Sequence, residues 1–376
     1  MTEEREVIVR DVIAHARRIV VKIGSSSLTG ADGRLSEEAV GRLADALAFE
    51  RSHGRQVILV TSGAIAAGIG PMGLPARPRD LEMQQAAASV GQGILIAAYS
   101  AAFARHGLTV GQVLLTTEDM VRRTHYGNAQ RALNRLLELG IVPIVNENDT
   151  VATDEIRFGD NDRLAALVAT VAHADALVLL TDVDGLYTAA PDTPGAERID
   201  DVKTPEDVAG IDISRRGSAL GTGGMITKLE AASLATASGV AVVLASADDV
   251  ADAIAGRHVG TLFHITGKRD TTRLQWLAHA AKVRGGFVLD DGAVRAVKGR
   301  KASLLAAGVV EVHGAFEAGE PVELVTRAGV AIARGFAGFS AEDATRMKGL
   351  STDALRDSRG ETFAHALIHI DDLVVL

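Results

Sequence analysis

RRIVVKIG, residues 17–24, is the stretch that decides the fold. Its apolar, mostly β-branched run is broken only by Lys22 and ends on Gly24. A strand with one wet face alternates apolar and polar residues. This one is apolar at nearly every position, as a parallel strand covered on both faces must be. Five more runs share the texture: RQVILVTS (55–62), LTVGQVLLT (108–116), IVPIVNEN (141–148), ALVLLTDV (176–183) and VAVVLAS (240–246). Helical periods lie between them. SEEAVGRLADALAFERSHG (36–54) opens on Ser36, a capping residue, and stops at Gly54. RALNRLLELG (131–140) and GGMITKLEAASLATASG (223–239) read the same way. Strand and helix alternating from residue 17 to about 263 predict an α/β fold, an αβα sandwich around a mainly parallel sheet.

The texture changes from about residue 275. GGFVLDDG, GVVEVHG, EPVELVT and AIARGFAGF are short runs separated by glycine, the pattern of a small β-rich domain. The expected division is a first domain over 1–265, a linker over 266–278 and a second domain over 279–376. The length of 376 residues suits two domains. Apolar residues make up 47%, enough for a large core, and the net charge of −9 disfavours polyanionic partners. Without cysteine there are no disulfides or thiolate metal sites, which favours a reducing compartment. The opening MTEEREVIVRDVIAHARR is charged throughout, and the apolar window Ala165–Leu180 is broken by His173 and Asp175. The expectation is a soluble, cytoplasmic protein with no membrane segment.

Parallel sheets bind ligands beyond the carboxyl ends of their strands. The polar groups collect there: Lys22, Gly24 and Ser25–Ser27, then Ser62 and Gly63, then NEND (146–149), then Thr181 and Asp182. The densest is NENDTVATDEIRFGDND (146–162), with six carboxylates, three side-chain amides and one cation, Arg157. Crowded carboxylates repel one another unless a cation neutralises them. An ammonium group, Mg²⁺ or fixed lysines would serve, and a solvated acidic connection is the plain alternative. Asn161 or Asp162 also stands where a helix cap is expected.

GTGGMITK (221–228) sets three glycines and a lysine at the start of a helix, which suits a phosphate, although it matches neither common phosphate-loop pattern. A bland loop-to-helix turn explains it as well. Lys22 inside its strand is either a second anion contact or a strand-end lysine reaching water. TSGAIAAG (61–68) is a third small-residue turn, or simple close packing of helix on strand. No nucleophilic triad or metal-binding histidine spacing is present.

Taken in order, VVKIGSSSLT, VTSGAIAAG, VNENDTVATDEIRFGDND, LLTDVDGLYT and GTGGMITK resemble the glutamate 5-kinases of the amino-acid kinase superfamily. The match covers 17–263. The tail resembles a PUA domain through GAFEAGEPV (314–322) and ARG (333–335). The resemblance implies ATP-dependent phosphorylation of the γ-carboxylate of L-glutamate, with ATP and Mg²⁺. By motif, Lys22, Lys228 and Asp162 would be catalytic, and Asp162 would hold the two lysines. Ser62, Asp149 and Asn161 would bind glutamate. Lys22, Thr181, Asp182, Thr222, Gly223, Gly224, Met225, Ile226, Thr227 and Lys228 would contact ATP. Arg157 stands where many relatives carry lysine. The Mg²⁺ ligands are not assigned. The family further implies feedback inhibition by L-proline and a dimer or tetramer.

Two other readings stay open at this stage. One is a kinase of the same fold acting on aspartate, acetylglutamate, carbamate or UMP. The other is RNA binding through the PUA-like tail, around Arg295, Lys298, Arg300 and Lys301. From residue 279 onward 12 Lys/Arg face 13 Asp/Glu, too balanced for the usual nucleic-acid module. The tail is the weaker candidate for function.

Overall fold

The computed structural model describes residues 10–30, 34–116, 118–120, 123–151, 161–191, 193–208, 224–267, 283–299, 302–360 and 363–376. They group into two compact units: Met1–Met120 with Gly127–Asp270, and Val121–Tyr126 with Thr271–Leu376. Of the expected linker, residues 268–278 lie outside the described residues.

In the first unit the six expected strands all form: β1 (Arg18–Ile23), β2 (Gln56–Val60), β3 (Val110–Leu115), β4 (Val142–Glu147), β5 (Ala176–Thr181) and β9 (Ala241–Ser246). Short strands absent from the sequence reading complete the set. β6 (Leu186–Tyr187) and β7 (Arg198–Ile199) make a separate ribbon, while β8 (Asp201–Val202) and β10 (Thr261–Phe263) extend the main sheet. These two- and three-residue strands carry too little pattern to be read in advance. The sheet order is β3-β4-β2-β1-β5-β9-β10-β8, and every neighbouring pair is parallel except β10 with β9. β1 lies near the centre, paired on both sides and covered by helices on both faces, which suits a run that is apolar from Ile19 to Ile23 except at Lys22.

Helices cover both faces. The helices Glu37–Ser52, Ala64–Ile69, Leu81–Ala104 and Val250–Ile254 form one layer, and Arg123–Glu138, Asn161–Val171 and Met225–Ala237 lie on the other face. Ser36 caps its helix as expected, its hydroxyl accepting from the Ala39 N–H at 3.2 Å. Because side chains alternate along a strand, Ile19, Val21 and Ile23 join the core under the four-helix layer. Lys22 therefore points to the opposite face of the sheet.

The helix Leu81–Ala104 was not among the expected helices. It is long and apolar enough by composition to cross a membrane, but Gly91, Leu95, Tyr99 and Phe103 are buried. The small-residue turn at 61–68 serves it, so the close packing is helix on helix rather than helix on strand. A Cβ at Gly91 would sit 1.8 Å from the Ala64 carbonyl oxygen, and one at Gly68 2.0 Å from that of Ala87. Both neighbours are backbone, so relief requires the helices to separate. Gly91→Ala should lower unfolding free energy by about 1–3 kcal/mol in urea titrations. A loss under about 0.5 kcal/mol, ordinary for a surface change, would contradict this contact.

The second unit is a five-stranded sheet of order β12-β11-β13-β14-β15, from β11 (Gly285–Leu289), β12 (Val309–Gly314), β13 (Pro321–Thr326), β14 (Ala331–Phe336) and β15 (Leu373–Val375). Only β11 and β13 run parallel. Phe287, Leu324, Met347 and Leu367 are fully buried in its core, and the Phe287 ring meets Phe316 edge-on at 5.5 Å between centroids.

Candidate functional site

Lys22 is the last residue but one of β1, and it points at the starts of the helices Asn161–Val171 and Met225–Ala237. Those first turns carry Asp162, Thr227 and Lys228. The Lys22 Nζ lies 2.5 Å from Asp162 Oδ1, and the Lys228 Nζ donates to Oδ2 at 3.1 Å. The Thr227 hydroxyl reaches the same Oδ2 at 2.8 Å and the Gly224 carbonyl at 2.9 Å. Asp162 is 0% exposed, Lys22 4% and Lys228 8%. Burial alone would push the Asp162 carboxyl up. The two ammonium charges and the hydrogen bonds from Lys22 and Thr227 outweigh it, bringing the pKa down to about 2. Two fixed cations on one fixed anion leave a net positive charge in a dry place, which is a receptor for an anion.

The glycine segment adds to it. Gly224 occupies the capping position of Met225–Ala237 and offers no side-chain acceptor. A Cβ at Gly224 would meet nothing within 4 Å. The free N–H groups of that helix start, Met225 and Ile226 included, suit a phosphate. Thr222 and Gly223 lie outside the described residues. Thr181 ends β5 on the same face of the sheet as Lys22, and its hydroxyl donates to the exposed Asp182 at 2.9 Å.

Asn161 precedes Asp162 and turns the other way. Its Nδ2 donates to Ser62 Oγ at 2.8 Å and to Asn146 Oδ1 at 3.2 Å, joining the ends of β2 and β4. Its own Oδ1 is buried and takes no hydrogen bond among the described residues. Asp149 follows three residues after Asn146, half-buried. Burial pushes its carboxyl up to about 6, against the pull of the Arg77 guanidinium.

Thus the structure brings Lys22, Lys228, Thr227 and Asp162 together, joins Ser62 to Asn161, and links the two groups through consecutive residues. Neither Asn161 nor Asp162 is the helix cap. Both lie inside the first turn, with side chains engaged across the sheet edge. Arg157 lies outside the described residues. Sequence reasoning missed Arg77 and Gln92, whose Oε1 accepts from Asn146 Nδ2 at 3.0 Å. The only signal for Gln92 was an amide in an apolar helix. Among the described residues no three His, Asp or Glu stand together as a metal cage. With Asp162 engaged by the two lysines, the donors among the described residues fit a cation carried in on phosphate oxygens.

Residues 17–246 match the amino acid kinase family and 285–358 the PUA domain. The glutamate 5-kinase of Streptomyces coelicolor is 57% identical over 368 residues, 98% of each chain. That of Thermobifida fusca is 55% identical over 371 residues, 98% of this chain and 95% of its own. The fold is shared with the carbamate kinase of Giardia lamblia bound to AMP-PNP, at TM-score 0.50 and 14% identity, over 68% of this chain and 99% of that one. A lysine-clamped carboxylate at the edge of a parallel sheet and near full-length identity above one half agree: this chain belongs to the glutamate 5-kinases, a branch of the amino acid kinase family, and carries a C-terminal PUA domain.

Proposed function

We propose that the chain transfers the γ-phosphoryl group of ATP to the side-chain carboxylate of L-glutamate, giving L-glutamyl 5-phosphate and ADP, the first step of proline biosynthesis. The observation that carries this is the junction at Asn161 and Asp162. One residue reaches the Ser62 hydroxyl and the Asn146 amide, the next a pair of buried lysines. An amino acid and a phosphate held there would meet.

The chemistry needs little more. The γ-carboxylate has a reference pKa of about 4.3, so at neutral pH it is already a nucleophile. Its oxygen bonds to the γ-phosphorus while the bond to the ADP oxygen breaks. No proton moves, and no general base is required. Lys22 and Lys228 stabilise the charge spread over the transferring group, and Asp162 holds both in place. Thr181, Asp182, Gly224, Met225, Ile226 and Thr227 are assigned to ATP, together with Thr222 and Gly223. Ser62, Asn161 and Asp149 are assigned to glutamate. Mg²⁺ accompanies the nucleotide and neutralises phosphate charge. L-Proline as inhibitor and a homo-oligomeric assembly are proposed with the same family. Trapping acyl phosphate with hydroxylamine, with coupled assays for UMP and carbamate, tests the acceptor. Turnover of aspartate, acetylglutamate, carbamate or UMP above that of glutamate would overturn the reading.

Asp149 gives a pH test. Its raised pKa means that the neutral form is favoured in the fold. The stability this confers is present below about pH 3.9 and lost as pH rises through about 6. Binding an α-ammonium needs the ionised form. The value of kcat/KM for glutamate should therefore fall about tenfold per pH unit below about 6, reporting the free enzyme. In Asp149→Asn the KM for glutamate should rise and that limb disappear. A rise confined to the KM for ATP would refute the assignment.

A further inference from the structure

A file of amides runs from the four-helix layer into the proposed glutamate pocket. Gln92 on the helix Leu81–Ala104 accepts from Asn146 Nδ2 at 3.0 Å. Asn146 Oδ1 accepts from Asn161 Nδ2 at 3.2 Å and from the Glu147 N–H at 2.9 Å. The other Asn161 proton goes to Ser62 Oγ at 2.8 Å. A carboxamide has two N–H protons and one oxygen. With both Asn161 protons spent, its 5% exposed side chain keeps only a buried Oδ1 that takes no hydrogen bond among the described residues. Ser62, already accepting, has its own hydroxyl proton left to give. A lone acceptor beside a lone donor is the complement of an α-ammonium beside an α-carboxylate.

The polarity depends on which way each amide faces. Were Asn146 to turn round, its NH₂ would meet Asn161, which would turn in response and present an NH₂ to the ligand. A donor there opposes an ammonium. The Glu147 N–H fixes the sense from the backbone, since a turned Asn146 would set its NH₂ against that N–H. Gln92 takes an Asn146 proton on the far side and so anchors the Asn146 side chain against the Glu147 N–H; the sense comes from Glu147 and the anchoring from Gln92. We infer that Gln92 is a positioning residue for amino-acid recognition, holding Asn146 and through it Asn161 in the one amide orientation that selects an α-ammonium. This rests on the glutamate pocket assigned above.

Gln92→Met removes the acceptor at similar length, and Gln92→Glu keeps one. Glutarate, with both carboxylates and no ammonium, serves as a competitive probe against glutamate. The Met variant should raise the KM for glutamate about tenfold, the scale of one lost polar contact, and leave the Ki of glutarate within about twofold. Its kcat and KM for ATP should stay near wild type. The Glu variant should keep the wild-type ratio of glutamate KM to glutarate Ki within about threefold. Equal losses for glutamate and glutarate, an unchanged KM in the Met variant, or a Glu variant as impaired as Met would overturn the inference. If the Met variant does not fold, Gln92→Leu takes its place, with the same criteria. Asn161→Ala and Ser62→Ala separate the two levels. If they leave the glutamate KM unchanged, the pocket itself is misassigned. If they raise it while Gln92 variants do not, only the role of Gln92 fails.

Discussion

Lys22→Ala lowers kcat by about 10²–10³-fold, a loss of roughly 3–4 kcal/mol in transition-state stabilisation, the scale of one preorganised donor in a dry site. The size follows from burial. Lys22 and Lys228 share a carboxylate that is fully buried, so water cannot replace a missing ammonium. Asp162 keeps Lys228 and Thr227 as partners in the variant, so the local structure survives. What changes is the charge of the receptor, which drops from net positive to neutral where the phosphoryl group must pass. The KM for glutamate should move little, because its assigned contacts are Ser62, Asn161 and Asp149. Lys22→Arg should rescue poorly, since a planar guanidinium cannot take the place of a compact ammonium 2.5 Å from Asp162. Lys228→Ala should behave alike. Steady-state kinetics with both substrates varied provide the check. Near-normal turnover in either variant would remove the lysine from the reaction.

How far the sequence reveals this site depends on the range of the forces involved. β1 could be read because a strand buried on both faces must be apolar throughout, and the same rule isolates Lys22 as the exception. The start of Met225–Ala237 could be read from its glycines and the lysine one turn in. For Asp162 the local pattern suggests a cap, and the family resemblance alone ties it to the two lysines. Only the folded sheet edge sets Lys22 and Lys228, 206 positions apart in the numbering, on its two oxygens. Gln92 and Arg77 illustrate the other limit. Each matters through a partner more than fifty residues away, and nothing local distinguishes a buried amide with a role from one without. The helix Leu81–Ala104 was lost for a related reason. Its alanine- and glycine-rich sequence has weak amphipathic contrast, and its position is set by backbone contact at Gly68 and Gly91.

Asp162→Ala should have the largest effect on the fold itself. The substitution leaves two ammonium groups in a dry pocket with no counter-charge, and breaking a buried pair by removing one partner typically destabilises by about 3–5 kcal/mol. Urea titration at pH 7 should show that loss. The pH dependence gives an independent reading. In the native protein the Asp162 pKa is depressed to about 2, so its contribution is fully present above the unfolded value near 3.9 and disappears as pH falls towards about 2. The variant should therefore lack that part of the acid limb, its stability changing less between about pH 4 and 2. An anion can stand in for the missing carboxylate. Inorganic phosphate or ATP at millimolar concentration should raise the midpoint of thermal unfolding more in Asp162→Ala than in the native chain, because the vacated charge favours the anion and binding to the folded state is stabilising. Restored stability without restored turnover is the expected pairing, since a free anion neutralises the lysines but does not fix their positions. A variant as stable as the native chain at pH 7, indifferent to phosphate, would mean that the lysines are held by something other than Asp162.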